Sequence, residues 1–185
     1  MAGLQPQARQ TQGAAKALEW LGTVPPGSDG RVLREARANW AEQLRDWDTT
    51  IAQLAPLAAA HQLSTVDWNR LANAYAQRLE EKPLEQLLQQ APDPDSARKA
   101  RLAIIDRAIA VEQTEVAKRW LLTLPAQDRN DPMRQAQLLE VARDSSDAAL
   151  VEKLSDAQNR PCLETTEWLS RHDQAAALAK LQQCK

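Results

Sequence analysis

The chain contains no phenylalanine, one tyrosine, five glycines, two cysteines and two histidines in 185 residues. Glycine and β-branched residues are few, while Ala, Leu, Gln, Glu and Arg are abundant, so propensity favours helix, and no convincing strand is legible. His61 and His172 stand in no nucleophile or metal motif, and no glycine-rich phosphate loop is present. Acidic pairs such as Glu80 with Glu81, or Asp93 with Asp95, are too common on a charged surface to point to acid–base chemistry. The formal charge is −2 with both signs interspersed. That leaves no polybasic face, so neither nucleic acid nor a membrane surface is an expected partner. No apolar run approaches the roughly 20 residues of a spanning helix, and no membrane insertion is expected. Residues Met1 to Gln12 are too polar for a signal peptide. Either the protein stays where it is made, or a signal has been removed ahead of this start. No cofactor is called for.

What is present is a 43% hydrophobic share, enough to build the core of one domain or two small ones. From Asp67 onward the apolar periodicity predicts helical hairpins whose first helices open at Asp67, Ala97, Asp131 and Glu164, about 32 residues apart. The pairs are Asp67 to Glu80 with Pro83 to Gln90, Ala97 to Val111 with Thr114 to Leu124, Asp131 to Arg143 with Asp147 to Ala157, and Glu164 to Arg171 with Gln174 to Gln183. Asp131 followed by Pro132 is a strong helix start, a capping residue before a proline at the first turn. The run from Ala91 to Ser96 is the clearest linker-like break, readable as a boundary between packing units or as an ordinary loop.

The first third of the chain reads differently. Residues 1–10 form a loose terminus and residues 11–63 an N-terminal helical segment, with the repeat region over 64–185. A short helix from about Thr11 to Val24 ends at Pro25, Pro26 and Gly27, and Ser28 or Asp29 caps a long helix from about Gly30 to Leu54. Leu33, Trp40, Leu44, Trp47, Ile51, Leu54 and Ala58 make a narrow apolar seam along it, interrupted by Arg37. Pro56 is expected to kink this helix or to start a second short one. A second periodicity overlays the first: Trp20, Leu21, Thr23 and Pro25 recur as Trp120, Leu121, Thr123 and Pro125, a shift of 100 residues, or about three repeats.

The pattern Trp68-x-x-Leu71-Ala72-x-x-Tyr75 resembles the first-helix signature of the tetratricopeptide repeat. The resemblance covers one helix well. In the second helix Leu84 stands where the family prefers alanine, Ala91 fits its small position, and the usual proline is displaced to Pro92 or Pro94. It implies an all-α fold, a right-handed array of antiparallel helical hairpins following the N-terminal long helix. It further implies a groove for another protein's helix or extended segment, with Asn69 and Asn73 on its concave face. Two solvated asparagines are the plain alternative.

Cys162 and Cys184 bracket the last hairpin, where an antiparallel arrangement would bring them side by side for a disulfide. Such a bond, closing a loop of roughly 22 residues, would stabilise by about 3 kcal/mol and favour an oxidising, extracytoplasmic setting, with the periplasm as the expected compartment. Unpaired thiols in a cytoplasmic protein are the alternative, and zinc on Cys162, His172 and Cys184 lacks the close ligand pairs of structural sites. Five of the six tryptophans fall on apolar stripes and are expected in the core, although Trp40 and Trp47 on the long seam could instead form a docking surface. The functional expectation is a non-enzymatic adaptor or scaffold of a bacterial-type cell envelope. A helical accessory domain of an envelope enzyme, and a small all-α enzyme with unrecognised catalytic residues, are the alternatives.

Overall fold

The computed structural model describes residues 6–22 and 30–157, together with Ala175. Among the described residues every regular element is a helix and there is no strand. In order these are α1 (Pro6–Gly22), α2 (Arg31–Gln43), α3 (Trp47–Ala59), α4 (Thr65–Arg78), α5 (Glu81–Leu88), α6 (Pro94–Ala110), α7 (Thr114–Leu122), α8 (Ala126–Arg129), α9 (Pro132–Asp144) and α10 (Ala148–Ala157). The fold is all-α, as composition and periodicity predict.

The long N-terminal helix is not one helix. It ends at Gln43 and restarts at Trp47. Arg45 adopts a left-handed conformation with φ 57°. Its N–H donates to Glu42 O at 2.9 Å and the next N–H, on Asp46, donates to Ala41 O at 2.9 Å, the paired closure of a Schellman motif. Asp46 then caps α3, its carboxylate accepting from Thr49 N at 3.0 Å. The apolar seam continues across this turn on two helices, which is why spacing alone reads it as continuous. Pro56 neither ends nor restarts a helix, since α3 runs through it to Ala59.

The same closure recurs. Among the described residues, Arg45, His61, Leu79, Glu112 and Ser146 are the non-glycine residues with positive φ. Each donates its N–H to the carbonyl three residues back, at 2.9 to 3.1 Å, and its successor donates to the carbonyl five back, at 2.8 to 2.9 Å. Arg45, Leu79, Glu112 and Ser146 are spaced by 34, 33 and 34 residues, and each lies two positions before a helix, α3, α5, α7 and α10. Burial follows the same frame. The residue five positions after each turn residue, Thr50, Leu84, Ala117 or Val151, is fully buried, as is the residue seven positions before it, Ala38, Ala72, Ile105 or Leu139, to within 1%.

The chain divides into two compact units, Met1–Arg107 and Ala108–Lys185, the division falling in the last turn of α6. In the first, α1 packs on α2, α2 on α3, α3 on α4 and α4 on α5. Leu54, Leu71 and Leu84 are completely buried there, and the buried Trp68 indole donates from Nε1 to Leu87 O at 3.2 Å, tying α4 to α5. In the second, α9 packs on α7 and α10 on α9, around Leu139, Ala142 and Val151. Asp131 caps α9 through Met133 N and Arg134 N, with Pro132 in the first turn as its sequence predicts.

The fourth predicted pair, from Glu164 to Gln183, lies outside the described residues. So do Cys162 and Cys184, and no disulfide exists among the described residues. The expected Cys162–Cys184 disulfide is not part of the described fold. It requires two helix ends side by side, and no contact among the described residues places them so.

Candidate functional site

Two helix starts set the candidate site. Ser64 caps α4, its hydroxyl accepting from Asp67 N at 3.1 Å. Asp93 caps α6 in the same way, its carboxylate accepting from Ser96 N at 2.7 Å and from Ser96 Oγ at 2.8 Å. These two donations, the backbone one larger, hold the Asp93 carboxyl below the usual carboxylate range. With both starts fixed, α4 presents Asn69, Ala72 and Asn73, spaced three and four apart on one face, and α6 presents Lys99, Ala100 and Ala103. These side chains line one cleft of about 350 Å³.

Ala72 and Ala100 form a buried apolar floor, 1% and 2% exposed, and Asn69, Asn73 and Lys99 are the polar groups above it. Asn69 donates from Nδ2 to Thr65 O at 2.9 Å, which orients its amide and leaves its Oδ1 as acceptor. Asn73 makes no side-chain hydrogen bond among the described residues. Lys99 pairs with Asp95 at 2.6 Å, both side chains well exposed. Its ammonium is held above the usual lysine range, first by that hydrogen bond and then by the charge of Asp95. A protonated lysine and two amides can donate to and accept from a polyamide backbone or a polar side chain, while small side chains beneath let it approach closely.

Trp40 and Trp47 are not brought to this cleft. They stand on α2 and α3, on either side of the turn at Arg45, and both are half-buried. Trp68 and Trp120 are buried, whereas Trp20 on α1 is 70% exposed. His61 is exposed at the turn after α3. Lys99 was not legible as a site residue in the sequence, because it follows the break at Ala91 to Ser96 and shares the cleft with Asn73 only through the placement of α6. The available signal was its i, i+4 relation to Asp95 just inside a capped helix start.

A second polar cluster has a structural task. Arg70 on α4 donates from Nε to Glu42 at 2.7 Å, from Nη1 to Asp67 at 2.6 Å and from Nη2 to Asn39 Oδ1 at 2.9 Å. Its guanidinium is spent on joining α4 to α2 and offers no open face to a ligand.

Among the described residues no group of three or more His, Cys, Asp or Glu side chains could hold a metal ion. No helix among them is long and apolar enough to cross a membrane. Comparison with models of known protein families, with curated proteins and with solved structures finds no match to this chain.

Proposed function

We propose that this protein is a non-enzymatic binding module of tetratricopeptide-like character, a right-handed array of antiparallel helical hairpins. Its cleft between α4 and α6 docks an extended or helical segment of another protein. The recurrence of one turn at intervals of 34, 33 and 34 residues supports the array, since that family repeats with a period of about 34. The observation that carries the binding role is the cleft, where Asn69 and Asn73 meet Lys99 over the floor of Ala72 and Ala100. The Asn73 amide, the Asn69 Oδ1 acceptor and a cation above small apolar side chains suit register-setting hydrogen bonds to a partner's main chain.

Peptides selected from a random displayed library on the intact chain test it. Ligands of the cleft are expected to lose about tenfold or more in affinity on Asn69→Leu and Asn73→Leu, the effect of removing a bound polar partner. Selected ligands that bind both variants as well as the parent chain would sink the assignment of this cleft.

A further inference from the structure

The second unit contains a cavity of about 310 Å³ with a different character. Leu122 of α7, Leu138 of α9 and Leu150 and Leu154 of α10 line it, with Arg129 and Lys153 as its charged groups and neutral amides completing the wall. Among the described residues no carboxylate lines it. Leu122 is 41% exposed, so the fold leaves apolar surface uncovered at this place. Arg129 donates from Nη1 to Leu122 O at 3.1 Å, which fixes its guanidinium at the end of α7 while spending one of five N–H donors. Lys153 has no ion-pair partner among the described residues. The neighbouring Asp131 is occupied in capping α9 through Met133 N and Arg134 N, and Asp128 is buried.

The repeat frame supplies an internal comparison. Counting back 67 residues from Leu122, Leu150, Lys153 and Leu154 gives Ala55, Pro83, Gln86 and Leu87, which line a cavity of about 170 Å³ in the first unit. The same place in the frame is there about half as large, and among the described residues no charged side chain lines it. Arg129 and Lys153, and the leucines Leu122 and Leu150 where the first unit has Ala55 and Pro83, are thus particular to the second unit, whereas Leu154 is matched by Leu87.

We propose that this cavity binds a small anionic amphiphile, an unbranched acyl carboxylate, with its chain on the four leucines and its carboxylate between Arg129 and Lys153. A volume of this size is at the lower end of small-ligand sites. Two cations without a lining carboxylate favour a negative head group, and a guanidinium suits a carboxylate in particular. This site is separate from the cleft at Asn73, so its fate does not depend on the adaptor reading.

Titration of the intact chain with decanoate below its micellar concentration, followed by calorimetry and by amide chemical shifts, is the test. Binding is expected, with shifts concentrated on α7, α9 and α10. Affinity should rise by roughly fourfold per added methylene from octanoate to decanoate. Arg129→Gln and Lys153→Gln should each weaken it about tenfold. Both side chains belong to exposed residues, so the variants are expected to keep the parent's helical circular dichroism. Decanol or decyltrimethylammonium binding as tightly as decanoate would overturn the proposal. So would shifts spread over the first unit, or an acidic leucine-rich peptide displacing decanoate at lower concentration, which would assign the cavity to a protein partner.

Discussion

Arg70 reaches back 28 residues to Glu42, its Nε 2.7 Å from the carboxylate, and so fastens α4 to α2. The Arg70 side chain is 12% exposed and Asp67, its second acceptor, 7%, so this group of charges sits largely away from water. The pairing is worth less than its Coulomb energy suggests, because desolvation opposes it, but removing one partner strands the other. Arg70→Met is therefore expected to destabilise the first unit by about 3 kcal/mol, mostly through the stranded Asp67. Urea unfolding of Arg70→Met and of Arg70→Met with Asp67→Asn checks this. The double variant should recover a substantial part of the loss, and no recovery would mean that packing of the Arg70 stem is the larger effect.

Tyr75 gives a clean pH measurement because the chain has a single tyrosine. Burial, and then the negative charge of Glu80, hold its phenol above the usual tyrosine range. A folded value above the unfolded one means that the neutral phenol's contribution to stability is complete below the ordinary value of about 10. It is lost as pH rises through the folded value. Phenolate absorbance should titrate later in the folded protein than in denaturant, and Tyr75→Phe should flatten the alkaline fall in stability. A folded midpoint at or below the denatured one contradicts the burial of this group.

Helix content and several helix starts were legible because each is written locally, as Asp131 before Pro132 shows. The turn at Arg45 was not, because arginine carries no left-handed signal. What selects that conformation is the burial of Ala38, Ala41 and Thr50 on both sides of it. The 100-residue echo was legible but out of step. The turns place Ser146 at 101 residues from Arg45, so each echoed pair falls one position apart in the frame. Trp20 is exposed where Trp120 is buried. In the cleft, Asn69 and Asn73 were legible as a four-residue spacing on one helix, while Lys99 depended on how a second helix packs.

Thr50 tests that frame. Its equivalents are Leu84, Ala117 and Val151, so the site accommodates an apolar side chain elsewhere in the same chain. The buried Thr50 hydroxyl donates to Asp46 O at 2.9 Å, a carbonyl that already accepts Thr50 N at 3.0 Å. Replacing the hydroxyl by a methyl strands no acceptor. Thr50→Val should change stability by less than about 1 kcal/mol, in contrast to the 2 to 5 kcal/mol (roughly) expected of Leu84→Ala at the equivalent buried position. Chemical denaturation of the two variants separates them, and a large loss for Thr50→Val would show that the frame does not carry environment from pair to pair.

The left-handed turns make the last prediction. For a residue with a Cβ this conformation costs roughly 1 to 2 kcal/mol, and glycine avoids it. Glu112 has φ 57° and is exposed, so its side chain gives up little packing. Glycine lowers that strain but loses more backbone entropy on folding, an opposing effect of about 0.5 to 1 kcal/mol. The net expectation for Glu112→Gly is a gain of up to about 1 kcal/mol, with Glu112→Val, β-branched at positive φ, clearly destabilising. Leu79 occupies the equivalent turn with φ 55° but is half-buried, so Leu79→Gly sets the same relief against lost apolar contact and should gain less than Glu112→Gly or lose. Thermal and urea unfolding of the three variants rank them. The order Glu112→Gly above Leu79→Gly above Glu112→Val follows if these turns are held by the burial around them against local preference, and a destabilised Glu112→Gly would mean that its side chain makes a contact that the turn requires.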